Sequence, residues 1–374
     1  RDVDALVKQD RVGRKLGVAF GHTFERDRAA AYDQVVYRNF DRLLVASAGQ
    51  IAIDSFAELD ERANRIAHHL GAQGIGVGDH VGIYAQNCHE WIETMLGCFK
   101  LRAIPINVNF RYVSDELAYI FNNADLVGLV FDDQYAPLVT EIRDKAPRLK
   151  AFVHVHTGIG DDGTDVRADL AALGSVSYED ATVDQSGSRD GLPGDRSPDD
   201  LYVLYTGGTT GMPKGVVWRH TDMREAQLNA QRMLAPVPDS LDEAVAMIRA
   251  EGPGRMTLPA CPMMHGTGFI TAIGTLASGG CLVTLDNPSL DAVELWEAVE
   301  RNKVQSIAIV GDAFAKPMLK ALDDNQGRFE TSSLITIVSS GVMWSKEVKQ
   351  GLIRHIPQVA LMDSFGASEG LGFG

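Results

Sequence analysis

The sequence predicts an α/β protein with two packed, mostly parallel sheets that are layered with helices. Apolar runs of strand length alternate along the chain with amphipathic stretches of helical period, as in parallel sheets covered on both faces. The chain has 374 residues, more than the roughly 250–300 at which a single hydrophobic core stops growing. We therefore expect more than one subdomain.

The first half of the chain shows clear periodicity from Ser55 onward. Residues 1–50 carry scattered charges and short apolar pieces, and are assigned only as an N-terminal segment of the large domain. Ser55 precedes an amphipathic helix over 56–70. Ser114 is predicted to cap a helix that runs to about residue 122. The other predicted strands are 81–84, 103–108, 126–131 and 151–155, and the other predicted helices are 90–101 and 135–145.

The second half repeats the alternation after a compositionally different segment. Residues 157–200 are rich in Gly, Asp and Ser, which predicts a partly mobile linker. The predicted units are therefore a first α/β subdomain over 51–200 and a second over 201–374. The predicted strands of the second are 201–204, 216–218, 281–285, 304–310, 334–338 and 359–362, and its helices are 221–233, 241–249, 269–276, 291–301, 314–322 and 345–353.

Charge and cysteine content exclude several classes of function. The chain has 35 Lys and Arg against 50 Asp and Glu, a formal charge of −15, which argues against nucleic acid or an anionic membrane as the main partner. It contains neither a secretory signal nor an apolar run of the roughly 18 residues that span a membrane. Its four cysteines have no C-x-x-C spacing, which predicts reduced core thiols of a cytoplasmic protein.

A glycine- and threonine-rich segment over 205–215 follows the apolar run 201–204. Glycines let backbone N–H groups approach a polyphosphate, and Lys214 supplies one mobile positive charge. A flexible surface turn is the alternative interpretation. The P-loop of nucleoside triphosphatases is not indicated, because it needs Gly at 213 and a hydroxyl at 215, where this chain has Pro213 and Gly215.

The order of the residues in this segment resembles the phosphate-binding signature of the adenylate-forming (acyl-activating) superfamily. That superfamily includes acyl-CoA synthetases, luciferases and peptide-synthetase adenylation domains. Residues 56–64, 106–109 and 217–220 are most similar to bacterial fatty-acid or sterol-side-chain acyl-CoA synthetases. The resemblance implies that Lys214 is catalytic. It also implies nucleotide contacts from Thr206, Gly207, Gly208, Thr209, Thr210, Gly211 and Lys214.

A second motif over 262–269 contains one histidine. Alone, His265 between an apolar loop and a helix start is typical of a structural histidine. By the resemblance it is catalytic, borders the carboxylate end of the acid pocket and helps the switch between adenylation and thiol attack. Its small neighbours Gly266 and Thr267 leave room for the carboxylate and are assigned to substrate binding.

Two further motifs follow predicted strands. In 339–345 the resemblance places adenine against Gly341 and Val342, although Ser340 and Met343 depart from the usual Gly-Gly/Ala-Pro pattern. In 363–370 it implies that Phe365 stacks on adenine, that Ser368 binds the α-phosphate in place of the usual Thr, and that Glu369 is catalytic and holds Mg²⁺. The remaining nucleotide contacts are Asp363, Ser364 and Gly366, and the acid is also contacted by Gly341 and Gly366.

Other polar residues are assigned structural roles. Asp312 follows a predicted strand, where it could face the acid pocket, but a cap of the helix that follows is favoured. His154 and His156 share one face of a strand but have no nearby partner ligand, which favours exposed strand residues over a metal site. The same structural assignment applies to Asn107, Asn109, Arg111 and His220.

The resemblance implies ATP-dependent activation of a fatty or sterol-side-chain carboxylic acid to an acyl-adenylate and then to acyl-CoA, with ATP, Mg²⁺ and coenzyme A. The family's ribose-binding Asp, hinge and small C-terminal domain are not found before Gly374. The chain is therefore expected to be the large N-terminal domain alone, which adenylates poorly and does not complete thioester formation. The alternatives are an acyl- or aryl-AMP ligase that loads a carrier protein and a catalytically incomplete binding domain. A homodimer is left open.

Overall fold

The computed structural model describes residues 45–47, 50–53, 55–158, 162–207, 211–232, 237–251, 254–364, 366–367 and 370–371. Two seven-stranded sheets, covered by helices, make up most of this part of the chain. The predicted α/β class with mostly parallel sheets is confirmed. Across the described residues, no helix has the length and apolar character needed to cross a membrane.

Five parallel strands, one short edge strand and one antiparallel strand form the first sheet. They are β3 (His80–Tyr84), β4 (Ile104–Asn107), β5 (Leu126–Asp132), β6 (Ala151–Val155), β7 (Val176–Ser177), β8 (Leu201–Thr206) and β9 (Lys214–Arg219). Their order is β7-β6-β5-β3-β4-β8-β9, and only β9 pairs antiparallel to its neighbour. The β8–β9 hairpin therefore places residues 207–213 at the carboxyl end of β8.

The second sheet joins strands from both ends of the described chain. It contains β1 (Val45–Ser47), β2 (Gln50–Ile53), β10 (Met256–Pro259), β11 (Cys281–Val283), β12 (Ser306–Ile309), β13 (Thr336–Ser340) and β14 (Ala360–Ser364). The order is β14-β13-β12-β10-β11-β1-β2, parallel except for β2. Two short strands, β15 (Gly366–Ala367) and β16 (Gly370–Leu371), form a separate antiparallel pair.

Helices cover both sheets, and some of their starts have a side-chain cap. They are α1 (Phe56–Ala72), α2 (His89–Leu101), α3 (Ser114–Asn123), α4 (Ala136–Ile142), α5 (Arg167–Leu173), α6 (Tyr178–Thr182), α7 (His220–Arg232), α8 (Leu241–Glu251), α9 (Gly266–Ala277), α10 (Ala292–Asn302), α11 (Asp312–Asp324) and α12 (Lys346–His355). The Ser55 side chain accepts from Glu58 N at 3.1 Å, so α1 has the predicted N-cap.

Two predicted caps are wrong. Ser114 is the first residue of α3, and the cap is Val113, whose N–H donates to Glu116 Oε2 at 3.1 Å. Asp312 is the first residue of α11 and accepts instead from Ser345 N at 2.8 Å, at the start of α12. In both cases a short polar side chain near a helix start suggested a local cap, while the fold supplied another partner.

Residues 157–200 are more structured than a bare connection. They contain α5, β7 and α6, and β7 adds parallel to the edge strand β6. Sheet membership also crosses the division at residue 200, because β8 and β9 extend the first sheet while β1 and β2 extend the second. The subdomain boundaries stay a prediction.

The second sheet has one face in the core and the other facing a cavity. Leu258, Ile307 and Ile337 are fully buried against α10, α11 and α12. The residues that alternate with them are Thr257, Ser306, Ala308, Thr336 and Val338, and they line the cavity. Successive side chains along these strands therefore point in turn into the core and into the cavity.

The cysteine prediction agrees with the structure, whereas the two histidines differ from the predicted pair of exposed strand residues. All four cysteines are free and buried, as predicted for core thiols. His154 is half-buried on β6, with Nδ1 3.0 Å from Ser175 Oγ. His156 is exposed beyond the end of β6, with Nδ1 2.8 Å from Asp133 Oδ2. The assignment against a metal site stays a prediction. Within the described ranges, no group of three His, Cys, Asp or Glu side chains could hold a metal.

The stability of the fold is expected to fall at acid pH through His220. Its ring lies against Phe99, with centroids 4.3 Å apart, and burial lowers its pKa to about 4. The unfolded side chain titrates near 6.5, so this contribution is fully present above pH 6.5 and is lost as the pH falls to about 4. The loss is about 3 kcal/mol.

Urea unfolding of the wild type and of His220→Asn between pH 7 and pH 4 measures this term. The variant is less stable at pH 7 but loses less of its free energy of unfolding on acidification. Equal losses in the two proteins would show that His220 is not responsible.

Candidate active site

A cavity of about 1280 Å³ lies between the open face of the second sheet and α9. The sheet contributes alternate residues of β10, β12, β13 and β14, and α9 contributes residues on one of its faces, including Ile270, Thr271 and Gly274. Residues from α7 and α8 also line it. Among the predicted site residues, those that line the cavity are His265, Gly266, Thr267, Gly341, Val342 and Ser364.

His265 lies at the N-cap of α9, with its side chain open to the cavity. Desolvation by the surrounding protein lowers the pKa of the imidazole, and the nearby positive charge of Arg111 lowers it further. Arg111 lines the same cavity. The imidazole is therefore neutral at pH 7, so that it can donate one hydrogen bond and accept another.

The turn before α9 requires glycine at position 268. A Cβ built there would lie 2.3 Å from Pro262 O, which real Cβ atoms essentially never do. The same turn is closed by His265 N donating to Pro262 O at 3.0 Å. The small residues of the motif thus allow α9 to begin at Gly266, three residues earlier than predicted, and hold His265 at its first turn.

Two side-chain amides, the buried Asn107 and the half-buried Asn87, join this turn to the first sheet. Asn107 accepts from Tyr205 N at 2.7 Å and donates to Met264 O. Asn87 accepts from Met263 N at 2.7 Å and donates to Cys261 O at 3.2 Å. Asn107 therefore connects the base of the 207–213 loop to the residue before His265. The structural role predicted for Asn107 fits this placement, although the sequence does not identify its partners.

Replacing Asn107 by alanine is expected to weaken the connection between the two loops. The Tyr205 N–H and the Met264 carbonyl are left without this partner in the interior, at a cost of about 1–3 kcal/mol for each buried group. Urea unfolding measures the stability loss. A matched control is Asn109→Ala, since Asn109 is half-buried and its side chain bonds to residues close in sequence, Arg111 N and the Tyr112 side chain. A similar loss for both variants would contradict the assigned role.

The phosphate-loop residues that the structure describes, Thr206, Gly207, Gly211 and Lys214, lie outside this cavity lining. Thr206 and Lys214 face each other across the β8–β9 pair, and Gly207, Gly211 and Lys214 are exposed. Gly208, Thr209 and Thr210 lie outside the described residues. The structure therefore places the loop ends at the carboxyl edge of the first sheet, and Asn107 links that edge to the cavity.

The predicted adenine wall is a tight turn after β13. Gly341 has φ +80°, a left-handed conformation that favours glycine. The Ser339 hydroxyl accepts from Gly311 N at 2.9 Å and donates to Val342 O at 3.1 Å. These bonds hold the turn, while Val342 itself is 61% exposed, so its side chain is available to a ligand.

The last motif is described in part. Ser364 pairs in register with Ser340, and both line the cavity. The Asp363 carboxylate forms a half-buried ion pair with Lys349, so its predicted nucleotide contact stays a prediction. Gly366 lies in β15, which follows β14 closely. Phe365, Ser368 and Glu369 lie outside the described residues, and their assigned roles, including the Mg²⁺ ligand, stay predictions.

Comparison with known proteins gives consistent matches to one family, to curated relatives and to solved structures. The family described as AMP-binding enzyme matches residues 33–374. A 3-oxocholest-4-en-26-oate–CoA ligase of Rhodococcus rhodochrous is 40% identical over 338 residues, which cover 89% of this chain and 58% of the relative. The medium-chain acyl-CoA ligase Mig of Mycobacterium avium is 35% identical over 331 residues, 84% of this chain and 58% of the relative.

The chain thus spans a little over half the length of these curated relatives. Among solved structures, the inhibitor-bound N-terminal domain of FACL13 from Mycobacterium tuberculosis matches with a TM-score of 0.72 at 18% identity, covering 92% of this chain and 76% of that one. The anthranilate CoA ligase AuaEII with anthranoyl-AMP matches with a TM-score of 0.73 at 19% identity, covering 93% and 61%. These two structures support the fold.

Proposed function

The chain belongs to the AMP-binding enzyme family, and on that premise we propose that it is the acid- and nucleotide-binding part of an AMP-forming acyl-CoA ligase. The observation that carries the proposal is the shared cavity. Three predicted motifs that are separated in sequence contribute His265, Gly341 and Ser364 to the wall of one cavity. A site for both an acid and adenosine needs such a convergence at the carboxyl ends of parallel strands.

The proposed acid carboxylate lies at the start of α9. Gly266 and Thr267 offer backbone N–H groups of the first helical turn, which have no intrahelical partner and favour negative charge. The neutral imidazole of His265 adds a hydrogen bond, and Arg111 adds positive charge at the same wall. The hydrocarbon then extends along the open face of the second sheet.

The proposed nucleotide lies across the edge formed by Gly341, Val342 and Ser364, with its phosphates toward the 207–213 loop. In the first reaction, a carboxylate oxygen attacks the α-phosphorus of ATP, and the bond to the β-phosphate breaks to release pyrophosphate. Lys214 and the loop amides lower the barrier by neutralising charge and positioning the phosphates. In the second reaction, the thiol of coenzyme A attacks the acyl carbon and AMP leaves.

The proposal includes Mg²⁺ because a hard cation prefers few carboxylates together with phosphate oxygens. Glu369 is its proposed protein ligand. Coenzyme A is the proposed thiol, because the named relatives are CoA ligases. A cytoplasmic location stays a prediction from the sequence, and a homodimer stays open.

The cavity is larger than a typical small-molecule site, as expected if it holds a bulky acid together with part of the nucleotide. Small-molecule sites are typically about 300–1,000 Å³, and this cavity is about 1280 Å³. The relatives are named for fatty acids and for a sterol-side-chain acid. We therefore propose a long-chain or sterol-side-chain carboxylic acid as the substrate class.

Pyrophosphate release in the presence of ATP, Mg²⁺ and a panel of fatty, aryl and sterol-side-chain acids tests the proposal. The expected result is release that depends on the acid and is greatest for the bulky ones. In the full-length ligase, adding coenzyme A or a carrier-protein thiol and following AMP release then distinguishes the two acceptors. ATP turnover that needs no acid, or no affinity for a non-hydrolysable acyl-adenylate analogue, would contradict the proposal.

A further inference from the structure

A row of hydroxyl groups crosses the wall of the cavity, away from the predicted nucleotide edge. Thr257, Ser306 and Thr336 lie on three adjacent parallel strands, and the register pairs Thr257 with Ser306 and Ser306 with Thr336. All three line the cavity. Thr257 and Thr336 are buried, with exposures of 4% and 8%, so the row lies within the wall and not at the mouth.

The row marks a change of polarity along the wall. The next cavity-facing positions toward the carboxyl ends of the strands are Pro259, Ala308, Val338 and Met362, which pair in register and are apolar. Beyond these come Ser340 and Ser364 at the nucleotide edge. The wall is therefore polar at both ends and apolar between them.

Strand geometry gives the spacing between the polar ends. Ser340 is four residues after Thr336 on β13, which corresponds to about 13 Å at the rise of a parallel strand. An acid whose carboxylate lies near the nucleotide edge would reach the hydroxyl row with atoms about that far from the carboxylate. The row therefore lies about 13 Å from the nucleotide edge, at the end of the wall that would meet the remote part of a bulky acid.

The hydrogen bonds of the row leave capacity for a ligand. The Thr336 hydroxyl donates to Ser306 Oγ at 3.1 Å, which uses the Thr336 proton and leaves that of Ser306. Within the part of the chain that the structure describes, the side chains of Ser306 and Thr257 make no other hydrogen bond. Cross-strand Thr and Ser pairs also stabilise sheets by a few tenths of a kcal/mol or more, which is the structural alternative for this row.

We propose that Thr257, Ser306 and Thr336 form a subsite for a hydrogen-bonding oxygen, a ketone or hydroxyl, at the end of the acid remote from its carboxylate. This proposal rests on the proposed function and specifies its substrate as a largely apolar acid with one remote oxygen. A plain hydrocarbon chain leaves the Ser306 proton and the Thr257 hydroxyl buried under apolar atoms, which costs free energy. A ketone oxygen accepts from them, and a hydroxyl donates or accepts.

Two acyl-sulfamoyl-adenosines test the subsite on the full chain. They share one bulky hydrocarbon and differ only in a ketone or a methylene about 13 Å from the carboxyl carbon, the spacing given by the strand rise. Isothermal titration calorimetry gives the Kd of each. We expect about tenfold tighter binding of the ketone compound, equivalent to one or two net hydrogen bonds.

Variants of the row then assign the selectivity to its hydroxyls. In Ser306→Ala and in Ser306→Ala with Thr336→Val, the ratio of the two Kd values is expected to fall toward one. The matched control is Thr271→Val, which removes a hydroxyl of the same cavity on α9, outside the row, and should leave the ratio near ten. Because both compounds are titrated into the same variant, a loss of folded protein affects them equally.

The outcomes separate this proposal from the proposed function. Failure of both compounds to bind the wild type would contradict the proposed function. Equal, tight binding of both would overturn the subsite alone. A preference for the ketone that survives in the row variants would also overturn it, and would leave the row with its structural role. A wild-type ratio near one overturns the subsite even if a variant does not fold.

Discussion

Replacing Lys214 by alanine is expected to lower the rate of acid-dependent pyrophosphate release by about 100- to 1,000-fold, equivalent to about 2.7–4 kcal/mol of transition-state stabilisation. The side chain is exposed at the start of β9, so its loss removes no buried contact and the fold is unaffected. We propose that Lys214 places a mobile positive charge against the phosphates. This charge matters most as pyrophosphate leaves, because negative charge then builds up on the leaving group.

Lys320→Ala is the matched control for Lys214. Lys320 is also an exposed lysine and forms an i,i+4 ion pair with Asp324 on α11, an interaction of small worth. Its variant should retain wild-type rate and stability. Lys214→Arg adds a second comparison, because it retains the charge but changes the geometry. Equal rates for Lys214→Ala and Lys320→Ala would remove Lys214 from the proposed mechanism.

A phenylalanine at position 308 is expected to abolish binding of bulky acids, with at least a 100-fold loss of affinity for the corresponding acyl-adenylate analogue. Ala308 is 3% exposed, lies in register with Pro259 and Val338, and faces the middle of the cavity. An aromatic ring there occupies the space proposed for the hydrocarbon, and a well-packed site cannot accept the added volume without strain.

The size dependence makes this result specific. ATP and a short-chain acyl-adenylate analogue should bind Ala308→Phe with wild-type affinity, because the nucleotide edge lies beyond the ring. Ala308→Val, which adds only two methyl groups, should give an intermediate loss for the bulky analogue. Calorimetric titration measures the affinity of each variant for ATP, for the short-chain analogue and for the bulky analogue. Retained binding of the bulky compound by Ala308→Phe would place its hydrocarbon elsewhere.

Much of the fold is predictable from local pattern. Amphipathic spacing identified α1 with its Ser55 cap, and apolar runs identified strands such as β6 at Ala151–Val155 with both ends correct. These predictions succeed because a helix or strand buries one face, so that apolar residues recur along the sequence at the period of that element. The starts of α3 and α9 were less accurate, because their caps depend on the backbone that precedes them.

The candidate site was predicted as motifs but not as a cavity. The segments around His265, Gly341 and Ser364 were identified by resemblance, and the structure brings these three residues to one wall. The link through Asn107 was not predictable, since its partners Tyr205 and Met264 are 98 and 157 residues away. A lone polar residue at a strand end carries no signal that distinguishes such a bridge from a turn residue.

By itself, the sequence determined that the protein alternates strands and helices, that its thiols lie in the core, and that its motif segments resemble those of adenylate-forming enzymes. These properties depend on residues that are close together in the chain, so the local spacing of apolar residues and the order of the motif residues indicate them. Only the tertiary structure decided which strands pair, that β1 and β2 join the sheet of the second half, and that Thr257, Ser306 and Thr336 lie side by side. Register between distant strands depends on packing across the whole sheet, and no local pattern in the sequence specifies it.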